Sequence, residues 1–188
     1  MTDTSLHFLG IAGSLRAASW SAALLSEIVG MSDARAPITA YPLHSVPLYN
    51  ADLEPTHGQA PAPVLEFRQA IAAADGLVIV APEYNYGMSG VLKNALDWAS
   101  RPAYKSVLAG KPVLIVTNSP GPHGGVRAQQ QLRQTLAGTL SRVVIGPDIA
   151  VAHVATKLAD GKLTDERTVT VIKEGLAGLA AEVARARR

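Results

Sequence analysis

Residues 77–101 read LVIVAPEYNYGMSGVLKNALDWASR, and this stretch decides the fold. Its first five residues, 77–81, are apolar without alternation. An unbroken apolar run of this kind indicates a strand buried on both faces, as in a parallel sheet. Pro82 follows at once and predicts the end of that strand, because proline cannot donate to the hydrogen-bond ladder.

A helix is predicted directly downstream, over residues 90–100. Ser89 is a favourable N-cap, the apolar residues recur at helical spacing, and Lys93 and Asp97 stand four apart, as an intrahelical ion pair requires. The segment 83–89 between strand and helix includes two tyrosines, an asparagine and a glycine. In open parallel sheets such residues lie beyond the carboxyl end of a strand, where ligands bind.

Length and composition predict one domain spanning residues 1–188. A chain of 188 residues supports one substantial core, and no apolar run approaches the roughly 20 residues of a membrane span. We therefore expect no membrane association. The first ten residues, MTDTSLHFLG, lack the basic start and long apolar core of a signal peptide, so we expect a cytoplasmic protein.

The absence of cysteine excludes disulfides, thiol catalysis and thiolate metal sites, and with them a cysteine-dependent phosphatase. The five histidines show no ligand spacing, so no protein-held metal is expected. The net charge of +2 is mild, and its clearest concentration is the C-terminal ARARR. Arginines there oppose the negative end of a helix dipole and, without interleaved aromatic residues, do not predict a nucleic-acid arm.

Strands and helices alternate along the chain. The predicted strands lie at 7–12, 38–41, 77–81 and 112–117, with a fifth within 143–154. The predicted helices lie at 21–29, from Val64 onward, at 90–100, through Ala128, Leu132, Leu136 and Leu140, and from Val169 to Val183. Five βα units predict the α/β class: a flavodoxin-like, doubly wound, five-stranded parallel sheet of strand order 2-1-3-4-5 with helices on both faces.

One segment, residues 42–63, contains five prolines and no clean period. Connections of this length are usually functional walls or lids, or else poorly ordered. Leu48, Tyr49 and Leu53 are available for burial there, which suits either a substrate wall or a subunit contact.

The first strand-to-helix turn, AGSLRAASWS over residues 12–21, has the outline of a phosphate site. A helix start presents unpaired N–H groups and the positive dipole end, hydroxyls donate, and a guanidinium grips two oxygens. Its candidate ligands are Ser14, Arg16, Ser19 and Ser21. The turn is neither GxGxxG nor a P-loop, which disfavours dinucleotides and triphosphates. The alternative is that Ser19 or Ser21 only caps the helix while Arg16 is solvated.

Two further loops follow the third and fourth predicted strands. The first offers flat aromatic surfaces, and its candidates are Pro82, Glu83, Tyr84, Asn85 and Tyr86. The second, NSPGPHGGVR at 118–127, allows close backbone approach to a flat or anionic group, and its candidates are Ser119, Gly121, Gly124 and Gly125. The alternatives are a tyrosine-rich turn packed on its neighbours and a Gly-Pro loop without a ligand.

The predicted strand order brings these three loops to one edge of the sheet. About three charge-assisted hydrogen bonds, at roughly 1.5–3 kcal/mol each, only offset the approximately 4–15 kcal/mol cost of association. Phosphate contacts alone would therefore bind a ligand weakly. Further binding energy would have to come from the other two loops, which would flank a planar ring. A mononucleotide with a large aromatic ring fits this description, and FMN fits it best.

Three ordered motifs carry a specific resemblance: GSLRxxS at 13–19, PEYNYGxxGxLKNALDWxSRP at 82–102 and SPGxxGGxRAQxxLRQ at 119–134. In these residues the chain resembles the NAD(P)H-dependent FMN reductase family, which includes quinone, chromate and azo-dye reductases. The similarity extends from the first predicted strand to the fourth predicted helix. Members commonly have asparagine at the position of Ser21, often glycine at Ala18, and proline at Ser89.

The resemblance implies that Ser14, Arg16 and Ser19 hold the FMN phosphate. It further implies that residues 82–86 line the isoalloxazine ring and that Ser119, with the loop 121–125, borders the other edge of the ring. It also implies a homodimer or homotetramer. Glu83 is interpreted as a backbone contact or structural carboxylate. A contact with the 2′-phosphate of NADPH is one alternative for Arg101, Arg127 and Arg133, but solvated helix faces explain them better.

The implied reaction passes hydride from NAD(P)H, the co-substrate, to bound FMN and then two electrons to a small-molecule acceptor. No catalytic side chain is expected, because the flavin carries the chemistry. One rival hypothesis is a flavodoxin-like carrier that binds FMN without NAD(P)H activity. Such carriers are typically acidic, whereas this chain is slightly basic. The other is a scaffold or regulator that binds a different phosphate, supported only by Ala18 and Ser21.

Overall fold

The structure is a computed structural model that describes residues 5–54, 60–159 and 161–187. The strands are β1 Phe8–Ala12, β2 Ile38–Tyr41, β3 Gly76–Tyr84, β4 Gly87–Met88, β5 Pro112–Asn118, β6 Arg142–Val143, β7 Ile149–Val151, β8 Leu158–Ala159 and β9 Lys162–Leu163. The helices are α1 Trp20–Gly30, α2 Ala62–Ala73, α3 Gly90–Ala99, α4 Val126–Gly138, α5 Val154–Lys157 and α6 Glu166–Ala186, with a 3₁₀ turn at Ala51–Leu53.

The main sheet is parallel and runs β2-β1-β3-β5. Strands β6 and β7 both pair with the outer edge of β5, β6 at its start and β7 at its end. This confirms the predicted α/β class and strand order. The register places Ala12 of β1 beside Val80 of β3, and Pro82 of β3 beside Asn118 of β5. The ends of β1, β3 and β5 therefore meet at one edge.

Helices cover both faces of the sheet, as predicted, and the central strand β3 divides its side chains between them. Leu77, Ile79 and Ala81 pack with α2, α3 and α4 in one core cluster. Val78 and Val80 pack with α1 and α6 in the other. Because every second residue meets a different apolar layer, the continuous apolar run of residues 77–81 is required on both faces.

Pro82 does not end the third strand, so that prediction is wrong. The Val80 carbonyl faces β1 and accepts from the Gly13 N–H at 2.8 Å. Pro82 faces the same side two residues later, where β1 has already ended, and its missing N–H costs no ladder bond. The strand continues to Tyr84 and turns back through the antiparallel strand β4, which the sequence did not predict.

The predicted fifth strand is divided into β6 and β7, and the intervening residues include Gly146 and Pro147. Helix α4 ends at Gly138, so Leu140 lies beyond the helix on which it was predicted, at a φ of 61°. The antiparallel pair β8–β9 was not predicted. The remaining strands agree closely with the sequence, as does the Lys93–Asp97 ion pair at 2.6 Å.

The connection 42–63 packs against α3 and α2 over the residues described; residues 55–59 lie outside them. The Pro47 carbonyl accepts from both Asn94 Nδ2 and Trp98 Nε1, each at 2.8 Å. Tyr49 packs on the Trp98 ring, 4.9 Å between centroids. Leu48, by contrast, remains 84% exposed.

Two further sequence expectations concern charge and membrane association. At the C-terminus, Arg185 pairs with Glu182 at 3.2 Å and Arg187 with Asp75 at 2.6 Å; Arg188 lies outside the described residues. Among the residues that the structure describes, no helix is both long and apolar enough to cross a bilayer.

Candidate functional site

The N-terminus of α1 presents hydrogen-bond donors at the edge where β1 ends. Ser19 is the N-cap, and its Oγ accepts from the Ala22 N–H at 3.3 Å. Within the described chain, the N–H groups of Trp20 and Ser21 have no protein acceptor. Both therefore remain available to an anion, which the helix dipole also attracts.

Ser14 and Arg16 precede this helix start. Ser14 Oγ accepts from the Arg16 N–H and lies near the Tyr84 hydroxyl, with both distances 3.4 Å. The Arg16 guanidinium lies 5.1 Å from the centre of the Trp20 ring, on the first residue of α1. Ala18, where family members often have glycine, does not have a positive φ. The alanine is therefore compatible with this turn.

Ser21 is not simply a second cap. Its side chain is buried, and its Oγ accepts from Asn118 Nδ2 at 2.9 Å. Asn118 is the last residue of β5, and its Nδ2 also lies 3.3 Å from the Ala81 carbonyl. A single carboxamide thus joins the ends of β3 and β5 to the start of α1.

The turn between β3 and β4 carries the tyrosines. Asn85 and Tyr86 have positive φ values of 49° and 67°, which allows the strand to reverse in two residues. Tyr84 is 48% exposed and Tyr86 75%. Tyrosines so exposed offer flat surfaces to a ligand or to another protein.

Glu83 anchors this hairpin to α4. One carboxylate oxygen accepts from the backbone N–H of Arg127 at 3.0 Å and of Ala128 at 3.4 Å. The other lies 3.3 Å from Arg127 Nη1. Because the N-cap residue of α4, Gly125, has no side chain, Glu83 caps the helix from a neighbouring strand. These contacts agree with a structural carboxylate.

Arg127 and Gln131 extend the same attachment. The Arg127 guanidinium stacks on Tyr86, 4.3 Å from the ring centre, so Arg127 is not merely part of a solvated helix face. Gln131 Oε1 accepts from the Met88 N–H at 2.7 Å. Arg133, six residues after Arg127 on the same helix, pairs instead with Asp148 at 2.7 Å.

The glycine-rich loop before α4 is shaped largely by its own protein contacts. Ser119 Oγ accepts from the Gly121 N–H at 3.1 Å. Gly124 and Gly125 have φ values of 61° and 87°, and a Cβ on Gly124 would stand 2.6 Å from the Ala150 carbonyl group. Gly124 thus lets the loop pack closely against β7, and Gly125 lets it pack against the end of β5.

A cleft of about 330 Å³ opens between these three loops. It is lined by seven residues predicted from the sequence, Arg16, Ser19, Ser21, Pro82, Glu83, Tyr84 and Ser119, and by Trp20, Asn118 and Pro120, which were not predicted. Ser14 joins this group through Tyr84. Asn85, Tyr86, Gly121, Gly124 and Gly125 are not part of its lining. The size is that of a small-molecule pocket.

The residues present fit the phosphate end and one ring face of FMN. The lining combines the start of α1, with its two free N–H groups, with the Arg16 guanidinium and the Ser21 hydroxyl. Pro82 and Tyr84 of the same lining supply an apolar and aromatic wall. Among the described residues no cluster of His, Asp and Glu is suited to a metal ion.

Both the fold and the comparisons place the chain among known proteins. The fold is that of the flavodoxin-like α/β class, with a cleft at the carboxyl ends of parallel strands, where proteins of this class bind ligands. The chain belongs to the NADPH-dependent FMN reductase family, whose sequence model matches residues 6–156.

Among similar proteins, an NAD(P)H-dependent FMN reductase of Pseudomonas aeruginosa is 41% identical over 188 residues, covering 100% of both chains. A quinone reductase of Escherichia coli is 39% identical over 171 residues, covering 90% of this chain and 87% of its own. FerB of Paracoccus denitrificans, a flavoenzyme NAD(P)H:(acceptor) oxidoreductase, superposes with a TM-score of 0.86 at 27% identity, covering 96% of this chain and 98% of its own.

Asn118 and Trp20 are the main cleft residues that the sequence analysis missed. Asn118 carries a signal in hindsight, because it is a polar residue ending an otherwise apolar strand at the ligand edge. Trp20 is the first residue of α1, and in the sequence it resembles an ordinary apolar residue of that helix. The hydrogen bond between Asn118 and Ser21 joins residues 97 positions apart, so no local sequence pattern predicts it.

Proposed function

We propose that this protein is an FMN-dependent oxidoreductase that takes hydride from NAD(P)H and delivers two electrons to a quinone-like acceptor. The observation that carries the proposal is the cleft at the ends of β1, β3 and β5, where the donor-rich start of α1 meets the Tyr84 wall. Family membership and the names of the similar proteins support the same activity.

Each part of the cleft has a defined task in this proposal. Ser14, Arg16, Ser19 and Ser21, with the free N–H groups of α1, bind the FMN phosphate. The ring is positioned by segment 82–84 and Ser119 of the lining, together with Asn85, Tyr86 and the loop 121–125, which adjoin them in the chain. Bound FMN supplies the two-electron chemistry. The chain itself binds, orients and leaves one ring face accessible, so no side chain acts as acid, base or nucleophile.

The acceptor is proposed to be a small molecule, foremost a planar quinone, with azo compounds and free flavin as further planar candidates and the tetrahedral oxyanion chromate as a non-planar one. Tyr84 in the cleft lining and Tyr86, two residues further along the hairpin, present exposed aromatic surfaces without a tight enclosure. Such a wall selects for flatness more than for particular hydrogen bonds.

We further propose that the chain forms a homodimer or homotetramer in the cytoplasm. Leu48, Tyr86 and Tyr104 are large apolar residues left 73% exposed or more, which suits burial against a second copy. The cytoplasmic location agrees with the use of NAD(P)H, which cells hold internally.

An anaerobic reduction experiment tests the activity. Purified protein loaded with FMN is mixed with NADPH or NADH without any partner reductase, and bleaching of the flavin absorbance is followed. We expect rapid bleaching, recovery of the colour upon addition of a quinone, and parallel-line double-reciprocal plots in steady state. Reduction only through an added reductase would indicate the electron-carrier alternative, and failure to bind FMN would overturn the proposal altogether.

A further inference from the structure

Asn118 and Ser21 form a buried pair whose hydrogen-bond direction is determined by the surrounding backbone. Ser21 is 1% exposed and Asn118 2%, and both line the cleft. Asn118 Nδ2 lies 2.9 Å from Ser21 Oγ and 3.3 Å from the Ala81 carbonyl oxygen. A carbonyl only accepts, so it must face the carboxamide nitrogen and not its oxygen.

The orientation of the carboxamide decides which way the serine proton points. An amide nitrogen only donates, so Ser21 Oγ must accept from Asn118. The single hydroxyl proton of Ser21 is then free for another acceptor. Within the described residues no protein group accepts it, and Ser21 lies in the first turn of α1 beside two unpaired N–H groups.

We infer that Asn118 directs the Ser21 hydroxyl to act as a donor to the flavin phosphate, which makes Asn118 a positioning residue for the phosphate end of the cofactor. This inference rests on the proposed function. A hydroxyl free to rotate would spend part of its time with its lone pairs toward the phosphate. The Asn118 contact removes that orientation and pre-organises a third kind of donor beside the N–H groups and Arg16.

The inference explains how this chain functions with serine where relatives commonly have asparagine. An asparagine at position 21 would bring its own carboxamide donor. Here a carboxamide reaches the same place from β5 and acts through the serine hydroxyl. The site thereby keeps a fixed donor at this point of the phosphate cradle.

The test compares dissociation constants for FMN and riboflavin, which share the ring and ribityl chain but differ in the phosphate. Both are measured by quenching of flavin fluorescence with apoprotein. The ratio of the two constants isolates recognition of the phosphate. The variants are Ser21→Ala, Asn118→Ser, Asn118→Ala, and Asn118→Ser in the Ser21→Ala background. Serine at 118 is shorter than asparagine and cannot reach Ser21, whose Oγ lies 2.9 Å from the carboxamide nitrogen.

We expect Ser21→Ala to lower the preference for FMN by about 10-fold or more, the loss of one charge-assisted hydrogen bond. Asn118→Ser and Asn118→Ala should lower it by roughly 3- to 10-fold with riboflavin affinity unchanged. In the Ser21→Ala background, Asn118→Ser should have no further effect, because its partner is gone.

Thr117→Val serves as the matched control. It removes a buried hydrogen bond, Thr117 Oγ1 to Gln129 at 3.1 Å, from the same strand end without touching Ser21. Its FMN-to-riboflavin ratio should equal that of the wild type. Equal weakening of both flavins by the Asn118 variants, or losses that add in the double variant, would overturn the inference. A wild-type protein that binds neither flavin would instead overturn the proposed function.

Discussion

Arg16 is the one cationic side chain that lines the cleft described here, and it lies beside the first turn of α1. A guanidinium offers paired donors matched to phosphate oxygens, whereas a lysine offers a point charge. We expect Arg16→Ala to weaken FMN binding by about 10- to 100-fold without weakening riboflavin binding. The FMN affinity of Arg16→Lys should lie between those of the wild type and Arg16→Ala. Fluorescence titration of both flavins measures this.

Arg35→Ala is the control for that substitution. Arg35 precedes β2 at the opposite end of the strands and pairs with Asp33 at 3.4 Å. Its removal should change neither flavin constant. An Arg16→Ala variant that lost riboflavin affinity equally would show that Arg16 supports the loop and not the phosphate.

Gly124 is a residue whose backbone leaves no room for a side chain. Its φ is 61°, and an added Cβ would lie 2.6 Å from the Ala150 carbonyl group. We expect Gly124→Ala to lower the free energy of unfolding by roughly 2 kcal/mol or more, through backbone strain and overpacking. Urea denaturation followed by circular dichroism measures the loss.

Gly30→Ala provides the comparison at a permissive glycine. Gly30 ends α1, has nothing within 4 Å of an added Cβ, and does not have a positive φ. The same chemical change there should be neutral or stabilising by about 0.5–1 kcal/mol. Similar losses at both positions would refute the geometric reason given for Gly124.

At the scale of elements, the β3–β4 hairpin and α4 act as one unit joined by Glu83. We expect Glu83→Ala to cost about 1–2 kcal/mol of unfolding free energy, because it removes the cap of α4 and leaves Arg127 without its carboxylate. Gln131→Ala should cost about 1 kcal/mol by releasing the Met88 N–H. Both should also raise KM for the acceptor if the hairpin forms its wall.

Lys93→Ala is the control, because it removes an ion pair that caps no helix. The Lys93–Asp97 pair lies on the open side of α3, with both side chains more than a third exposed. Its loss should cost no more than about 0.5 kcal/mol and leave KM unchanged. A Glu83→Ala variant as stable as Lys93→Ala would mean that α4 is capped adequately without it.

The sequence predicts a strand or helix correctly where one hydrophobic pattern runs through the whole element. It fails where a neighbouring element overrides a local rule. The buried run of β3 and the Ser89-capped helix α3 were correct because each carries its own signal. Pro82 misled because its effect depends on where β1 ends. The candidate site divides similarly. Arg16, Ser21 and Tyr84 stand out by residue type, whereas the role of Asn118 depends on a contact with Ser21, 97 positions away.

At the scale of the whole molecule, Glu182 ties α6 to the edge of the sheet. Hydrogen bonds from Arg142, the larger contribution, and from Arg185 lower the pKa of this buried carboxyl below its ordinary value. A carboxyl with a lowered folded-state pKa adds stability that is present above the unfolded pKa of about 4.3 and is lost as the pH falls through the folded value. Acid should therefore loosen this attachment.

We expect Glu182→Gln to lower the free energy of unfolding by about 1 kcal/mol at pH 7 and by progressively less below about pH 4. Urea titrations across this pH range measure the difference. Glu174→Gln, an exposed position on the same helix, should follow the wild-type profile. A Glu182→Gln deficit that stayed constant down to pH 3 would exclude the linkage.

The contact between Asn118 and Ser21 also has a consequence for the order in which the protein is made. Ser21 leaves the ribosome 97 residues ahead of the carboxamide that orients its hydroxyl. Until β5 has been synthesised and paired with β3, a nascent chain has the start of α1 but neither Asn118 nor Ser119 beside it. Chains that have not yet reached residue 118 of the 188 therefore lack the complete cleft. A flavin bound through this cleft is bound only by chains in which β5 is already in place.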